Sequence, residues 1–140
     1  MITQLVYISE SSCDPNSERG RKLVDEILVT AKRRNAADGI TGYLLVGPTW
    51  FAQVLEGPSR AVSALFHRLL ADPRHSGVRL IDTRLVPERR FGNWTMEASV
   101  LLDAELEIAK ILGQPDSLTT NGALFNSVVA LAAAQSVSAR

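Results

Sequence analysis

The apolar positions of this chain follow two periods, and the switches between them divide it into elements. Residues 2–9, ITQLVYIS, have strand composition. A side-chain period of two puts Leu5, Tyr7 and Ser9 on one face and Ile2, Gln4, Val6 and Ile8 on the other. The polar stretch ESSCDPNS at 10–17 predicts a loop. Leu23, Val24, Ile27, Leu28 and Ala31 then recur at helical spacing. Asn16 or Ser17 is placed to cap that helix and Glu18 suits its first turn. Basic Lys32, Arg33 and Arg34 suit its C-terminus, and Asn35 to Gly39 ends it. Residues 40–57, ITGYLLVGPTWFAQVLEG, read as a β-hairpin with its turn at Gly47-Pro48-Thr49. Gly57-Pro58-Ser59 opens a second helix with the stripe Val62, Leu65, Phe66, Leu69 and Leu70, which Asp72-Pro73 stops. Residues 77–86, GVRLIDTRLV, predict a fourth strand and PERRFGN a charged turn. In WTMEASV, 94–100, Trp94, Met96, Ala98 and Val100 alternate with Thr95, Glu97 and Ser99, which predicts a fifth strand.

The order β-α-β-β-α-β-β implies an α+β fold. Its first six elements match the ferredoxin-like split βαβ pattern, with both helices on one face of an antiparallel sheet. Two helical stretches follow, at about 103–112 and 119–136, the second striped by Leu124, Phe125, Val128, Leu131 and Ala132. Residues 1–101 are expected to form the domain, and the 102–140 extension to pack on the sheet and cover its other face.

Composition narrows the class. A chain of 140 residues fits one domain with a real core. Fifteen basic residues balance fifteen acidic ones, which argues against a dedicated nucleic-acid binder. The single Cys13 excludes an internal disulfide and a cysteine-based zinc cluster. Met1 runs straight into strand-like sequence and no apolar run reaches the ~18–20 residues that cross a bilayer, so a cytoplasmic protein with no membrane association is expected.

Candidate chemistry begins at Gln53. It shares a strand face with Phe51 and Leu55, where an unpaired amide costs about 1–3 kcal/mol, so other buried polar groups or a ligand must meet it. Taken singly, Tyr7 reads as a core tyrosine whose hydroxyl finds a carbonyl, Asn35 as a helix-terminal residue, and Trp94 with Met96 as core packing. His67 and His75 lie eight residues apart, a spacing that alone makes no metal site. There is no Gly-rich phosphate loop, nucleophile elbow or paired-carboxylate signature, so an ordinary hydrolytic or transfer enzyme is not indicated.

Taken together, these residues resemble the BLUF family of blue-light sensors that use flavin. The resemblance spans about residues 2–100. It rests on Tyr7 and Ser9, Asn35, the ITG of 40–42, the FxQxLEG of 51–57, the DPRH of 72–75, the RRF of 89–91, and Trp94 with Met96. Each piece is weak; their joint order and spacing are specific. The resemblance implies a noncovalent flavin, FAD in the first place with FMN or riboflavin as alternatives, held between the two helices. Tyr7 would then be the electron and proton donor, Gln53 the bridge between the Tyr7 hydroxyl and the flavin edge, and Asn35 a partner of that edge. Phe51 would pack near the ring, and Arg34, Asp72, Arg74 and His75 would lie around the ring or its side chain. Trp94 and Met96 would relay the state of Gln53.

An amide presents a donor on one side and an acceptor on the other, so rotation or tautomerisation reverses its hydrogen-bond polarity. The implied protein is a photoswitch and not an enzyme. It would signal to a separate downstream protein and form a homo-oligomer. One departure from the family pattern is the 28-position separation of Tyr7 and Asn35, a few residues longer than usual, with the surplus in the loop around Cys13 to Gly20. The competing readings are a flavin-free ferredoxin-like interaction module, against which the intact Tyr7, Asn35 and Gln53 set argues, and a small hydrolase of the acylphosphatase kind. Residues 9–17 lack the arginine or glycine-rich anion cradle that such a hydrolase needs.

Overall fold

The computed structural model describes residues 1–11, 14–73, 76–92, 95–101 and 122–138. Strands β1 (Ile2–Glu10), β2 (Thr41–Val46), β3 (Trp50–Gly57), β4 (Ser76–Val86) and β5 (Ala98–Val100) form one sheet in the order β4-β1-β3-β2-β5. Helices α1 (Glu18–Asp38) and α2 (Ser59–Ala71) interrupt it, and α3 (Gly122–Ser138) follows. The first four strands pair antiparallel in the ferredoxin-like arrangement. The fifth joins β2 in parallel, so the sheet as a whole is mixed.

Side-chain alternation sorts the sheet into two cores. Leu5, Tyr7, Leu44, Val46, Phe51 and Leu55 face α1 and α2 together with Ile27, Val62 and Leu65. Val6, Ile8, Tyr43, Leu45, Trp50, Ala52 and Val54 face the other way, where Leu124, Phe125, Val128, Val129 and Ala132 of α3 cover them. The faces assigned from a period of two are the faces observed, because a one-residue slip would carry every apolar group of β1 and β3 to the wrong side. Arg84 fastens α3 at the sheet edge. Its guanidinium lies 4.1 Å from the Phe125 ring centroid and donates to Asn126 Oδ1 at 2.7 Å.

Helix α1 is capped by Ser17, whose hydroxyl accepts the Gly20 N–H at 2.9 Å. It runs past the basic cluster to Asp38 and stops at Gly39, which has φ 70°. That left-handed conformation suits glycine, so the stop lies there and Asn35 falls inside the last turn. In α2, Leu70 is exposed rather than part of the buried stripe. It lies about 100° around the helix from Leu69, off the inward face. The predicted fifth strand shortens to Ala98–Val100; Met96 lies on a bend before it and Val100 is exposed. The predicted helix at 103–112 lies outside the described residues.

Candidate functional site

Gln53 sits in the middle strand of five, opposite Tyr7 of β1 and Leu44 of β2. Directly opposed residues on one sheet face hold their Cβ atoms about 4.5–5.5 Å apart, within reach of one another's side chains. The Tyr7 hydroxyl donates to Gln53 Oε1, and Gln53 Nε2 donates to Met96 Sδ at 3.0 Å. All three side chains are buried. The polar groups that the sequence required around Gln53 are therefore a phenol and a thioether. The thioether is a weak acceptor, so the amide's donor side is the poorly compensated side. Room for Met96 comes from Gly42: a Cβ there would meet the Val54 carbonyl oxygen at 2.1 Å and the Met96 methyl at 3.2 Å.

Asn35 reaches the same segment from α1. Its Nδ2 donates to the Thr95 carbonyl at 2.7 Å, while its buried Oδ1 has no partner among the described residues. A buried amide oxygen left so costs about 1–3 kcal/mol, a cost that a hydrogen-bond donor on a ligand would remove.

Asn35 also lines a cleft between α1 and α2. Ile27, Thr30, Ala31, Arg34, Asn35, Gln53, Leu65, Arg68, Leu69 and Asp72 line it. Small-molecule and cofactor sites are concave and mostly apolar with a few placed polar groups, and this lining has that character. Tyr7 and Phe51 belong to the buried apolar layer on the same sheet face. Of the residues singled out in the sequence, Tyr7, Asn35, Gln53, Phe51, Arg34, Asp72 and Met96 are brought to the cleft or the layer that adjoins it. Arg74, His75 and Trp94 lie outside the described residues. Arg68 was not foreseen. It stands on α2 four residues before Asp72, the residue that caps the helix, and reading back one turn from Asp72 would have found it.

The Tyr7 phenol is held above its usual pKa, first by burial and second by the Asp72 carboxylate. It stays protonated, and so able to donate to Gln53, throughout the neutral range. The folded pKa is raised, so the associated stability is complete below the unfolded value of about 10 and declines as pH rises beyond it. In alkaline unfolding titrations Tyr7→Phe is expected to reduce the loss of stability above that pH by one proton, about 1.4 kcal/mol per pH unit. An unchanged slope would show that the Tyr7 phenol is not held protonated by the fold.

Comparison with known proteins is consistent with this geometry. The family model described as sensors of blue light using FAD matches residues 2–97. The blue light- and temperature-regulated antirepressor BluF of Escherichia coli (strain K12) is 34% identical over 97 residues, 69% of this chain and 23% of that protein. The photoactivated adenylate cyclase subunit beta of Euglena gracilis is 37% identical over 99 residues, 70% of this chain and 11% of that one. The chain thus spans a quarter or less of the curated relatives it matches. The dark-state structure of BlrB, a BLUF protein, superposes with a TM-score of 0.67 at 28% identity, covering 93% of this chain and 96% of that one.

Proposed function

The chain belongs to the BLUF family of blue-light sensors that use flavin, and from that premise we propose that Tyr7 and Gln53 are its photochemical pair and Met96 its first relay. The observation that carries this reading is the buried run Tyr7 to Gln53 to Met96 beside a cleft lined by Asn35, whose buried amide oxygen has no partner among the described residues. The residues fit a flavin. The walls from Ile27, Ala31, Leu65 and Leu69 suit a flat ring, and Asn35 and Gln53 suit its polar edge. Arg34, Arg68 and Asp72 at the rim, with Arg74 and His75 assigned from the family motif, suit its remaining polar groups, and Phe51 backs the site. Once bound, the flavin supplies the blue-light chromophore and the electron acceptor.

The protein's own part is a set of hydrogen-bond changes. With a bound flavin as electron acceptor, Tyr7, a phenol of low oxidation potential for a side chain, would be the electron donor and its hydroxyl proton would move to the Gln53 oxygen it already touches, both returning to Tyr7 as the amide rearranges. With that hydrogen bond altered, the Gln53 amide reverses by rotation or tautomerisation. The N–H that held Met96 Sδ is withdrawn, and the segment leading into β5 senses the change, with Trp94 of the W-x-M motif as a second relay. A local hydrogen-bond change thereby biases a two-state element, and no substrate is turned over.

FAD is the proposed native flavin, with FMN or riboflavin able to fill the same ring site. Residues 1–101 form the sensing unit and 102–140 an extension, of which α3 packs on the sheet. The signal passes to a separate downstream protein from a homo-oligomer in the cytoplasm, without nucleic acid or membrane. Among the described residues no helix is long and apolar enough to cross a membrane. The test is optical. Purified with FAD, the protein is expected to be yellow, to shift its absorbance to the red under blue light and to recover in the dark. A colourless protein that takes up no flavin would sink the reading.

A further inference from the structure

Two motifs, the LEG of 55–57 and the RRF of 89–91, are not used by the photochemistry, yet they meet in the fold. Glu56 is fully buried. Its Oε2 accepts the Gln4 side-chain N–H at 2.9 Å and the Arg90 backbone N–H at 2.8 Å, and its Oε1 accepts the Phe91 backbone N–H at 2.7 Å. Beside it, Arg89 donates from Nη1 to Thr41 Oγ1 at 3.0 Å and to the Glu56 carbonyl at 3.1 Å, and from Nη2 to the Gly39 carbonyl at 2.7 Å. A buried carboxylate persists only when its lone pairs are well occupied, and these contacts occupy them with groups from β1 and from the approach to β5.

The placement relates directly to the switch. Gln53 and Glu56 lie three residues apart on β3, and Asn35 and Gly39 four apart at the end of α1. Gln53 holds Met96 and Glu56 holds Arg90 and Phe91; Asn35 holds Thr95 and Gly39 holds Arg89. The Gln53 and Asn35 amide contacts are thus each paired, on the same element or its cap, with a contact to the Arg89–Phe91 segment. Four residues along from Phe91, Thr95 is at most about 14 Å away, so fastening Arg89 to Phe91 confines where Thr95 and Met96 can go.

We propose that Glu56 and Arg89 are positioning residues of the photoswitch. They keep Met96 in reach of Gln53 after the amide has reversed and so govern the return to the dark state. This rests on the proposed roles of Tyr7, Gln53 and Met96. Removing the fastening lowers the stability of the dark arrangement, in which Met96 Sδ accepts from Gln53, more than that of the light arrangement, in which this bond is gone. Return then slows.

The test is the dark-recovery rate of the flavin-loaded protein after blue light, with the Met96 methyl carbon resonance in the dark as a second readout. The parent has two methionines, Met1 and Met96, and the methyl added in Arg89→Met is identified by comparison with Arg89→Lys and Glu56→Gln, which add none. Arg89→Met is expected to keep its flavin and its red shift, recover about tenfold more slowly and show a displaced Met96 methyl resonance. Arg89→Lys, which keeps the charge and part of the bonding, is expected to fall between it and the parent. Glu56→Gln, which turns an amide N–H toward the Phe91 N–H or the Arg90 N–H, is expected to follow Arg89→Met. Should Arg89→Met or Glu56→Gln fail to fold, Arg89→Lys decides by the same criterion. Recovery within twofold of the parent, or faster, with only a lower melting temperature, would overturn the proposal and leave both residues as parts of the scaffold. A responsive parent with unresponsive recovery rates refutes this inference alone; a colourless parent refutes the photoswitch reading and this inference with it.

Discussion

Tyr7→Phe is expected to bind flavin and lose the light-induced red shift altogether. Phenylalanine fills the same buried space between β1 and α2, where the Tyr7 ring lies 6.0 Å from the Phe66 ring, so the packing of the helix-side core is kept. What disappears is the hydroxyl that donates to Gln53 Oε1. Without a readily oxidised side chain and its proton at that atom, nothing drives the amide to reverse. The buried amide oxygen also loses its donor, which costs about 1–3 kcal/mol and should appear as a modest fall in melting temperature. Tyr43 cannot substitute. It points to the opposite face of the sheet, where its hydroxyl is 2.7 Å from Ser99 Oγ. A lit-minus-dark absorbance spectrum decides, and a red shift of parental size in Tyr7→Phe would remove Tyr7 from the mechanism.

The second large effect is expected on stability. Phe125 of α3 is 2% exposed and packs in the core that contains Val6, Tyr43, Trp50 and Val54. Truncating a buried phenylalanine to alanine costs about 3–5 kcal/mol through lost transfer energy and the cavity left behind. Here the Arg84 guanidinium also loses the ring it covers. Against the typical 5–15 kcal/mol of a folded domain, Phe125→Ala should lower the melting temperature by many degrees. The flavin cleft lies on the other side of the sheet, so at low temperature the folded variant should still take up flavin. A melting temperature within a degree or two of the parent would mean that α3 contributes little to the fold.

Several features were legible without coordinates because they depend on near neighbours in the chain. The two faces of β1 and β3 follow from the alternation of Leu5, Tyr7, Phe51, Gln53 and Leu55 with Val6, Ile8, Trp50, Ala52 and Val54. The Ser17 cap and the cover that α3 provides follow from equally local patterns. Tyr7, Asn35 and Gln53 were recognisable as a set by motif, and Gln53 also by its polarity in an apolar strand.

Other features were hidden because they depend on contacts between distant segments. Gln4 and Glu56 are as polar and as buried as Gln53, but their partners lie 52 residues apart in one case and 34 and 35 in the other. The fifth strand was predicted too long because its alternation continues back through Met96. The side chains of Gln53 and Asn35 instead hold Met96 and Thr95 where the strand would have begun. Arg68 escaped notice because an exposed arginine on a helix is ordinary until a second helix closes a cleft beside it.

By itself, then, the sequence determined which elements form, which faces they bury and which three polar residues stand apart, since periodicity, caps and side-chain chemistry act within a few residues. Only the tertiary structure decided that Gln53 hands its two ends to Tyr7 and Met96, that the Asn35 side-chain oxygen is buried with no partner among the described residues, and that Glu56 and Arg89 fasten the segment next to them. Those are hydrogen bonds between residues 33 to 60 positions apart for which the chain carries no local signal, and they exist only once the sheet has set its strand order and register.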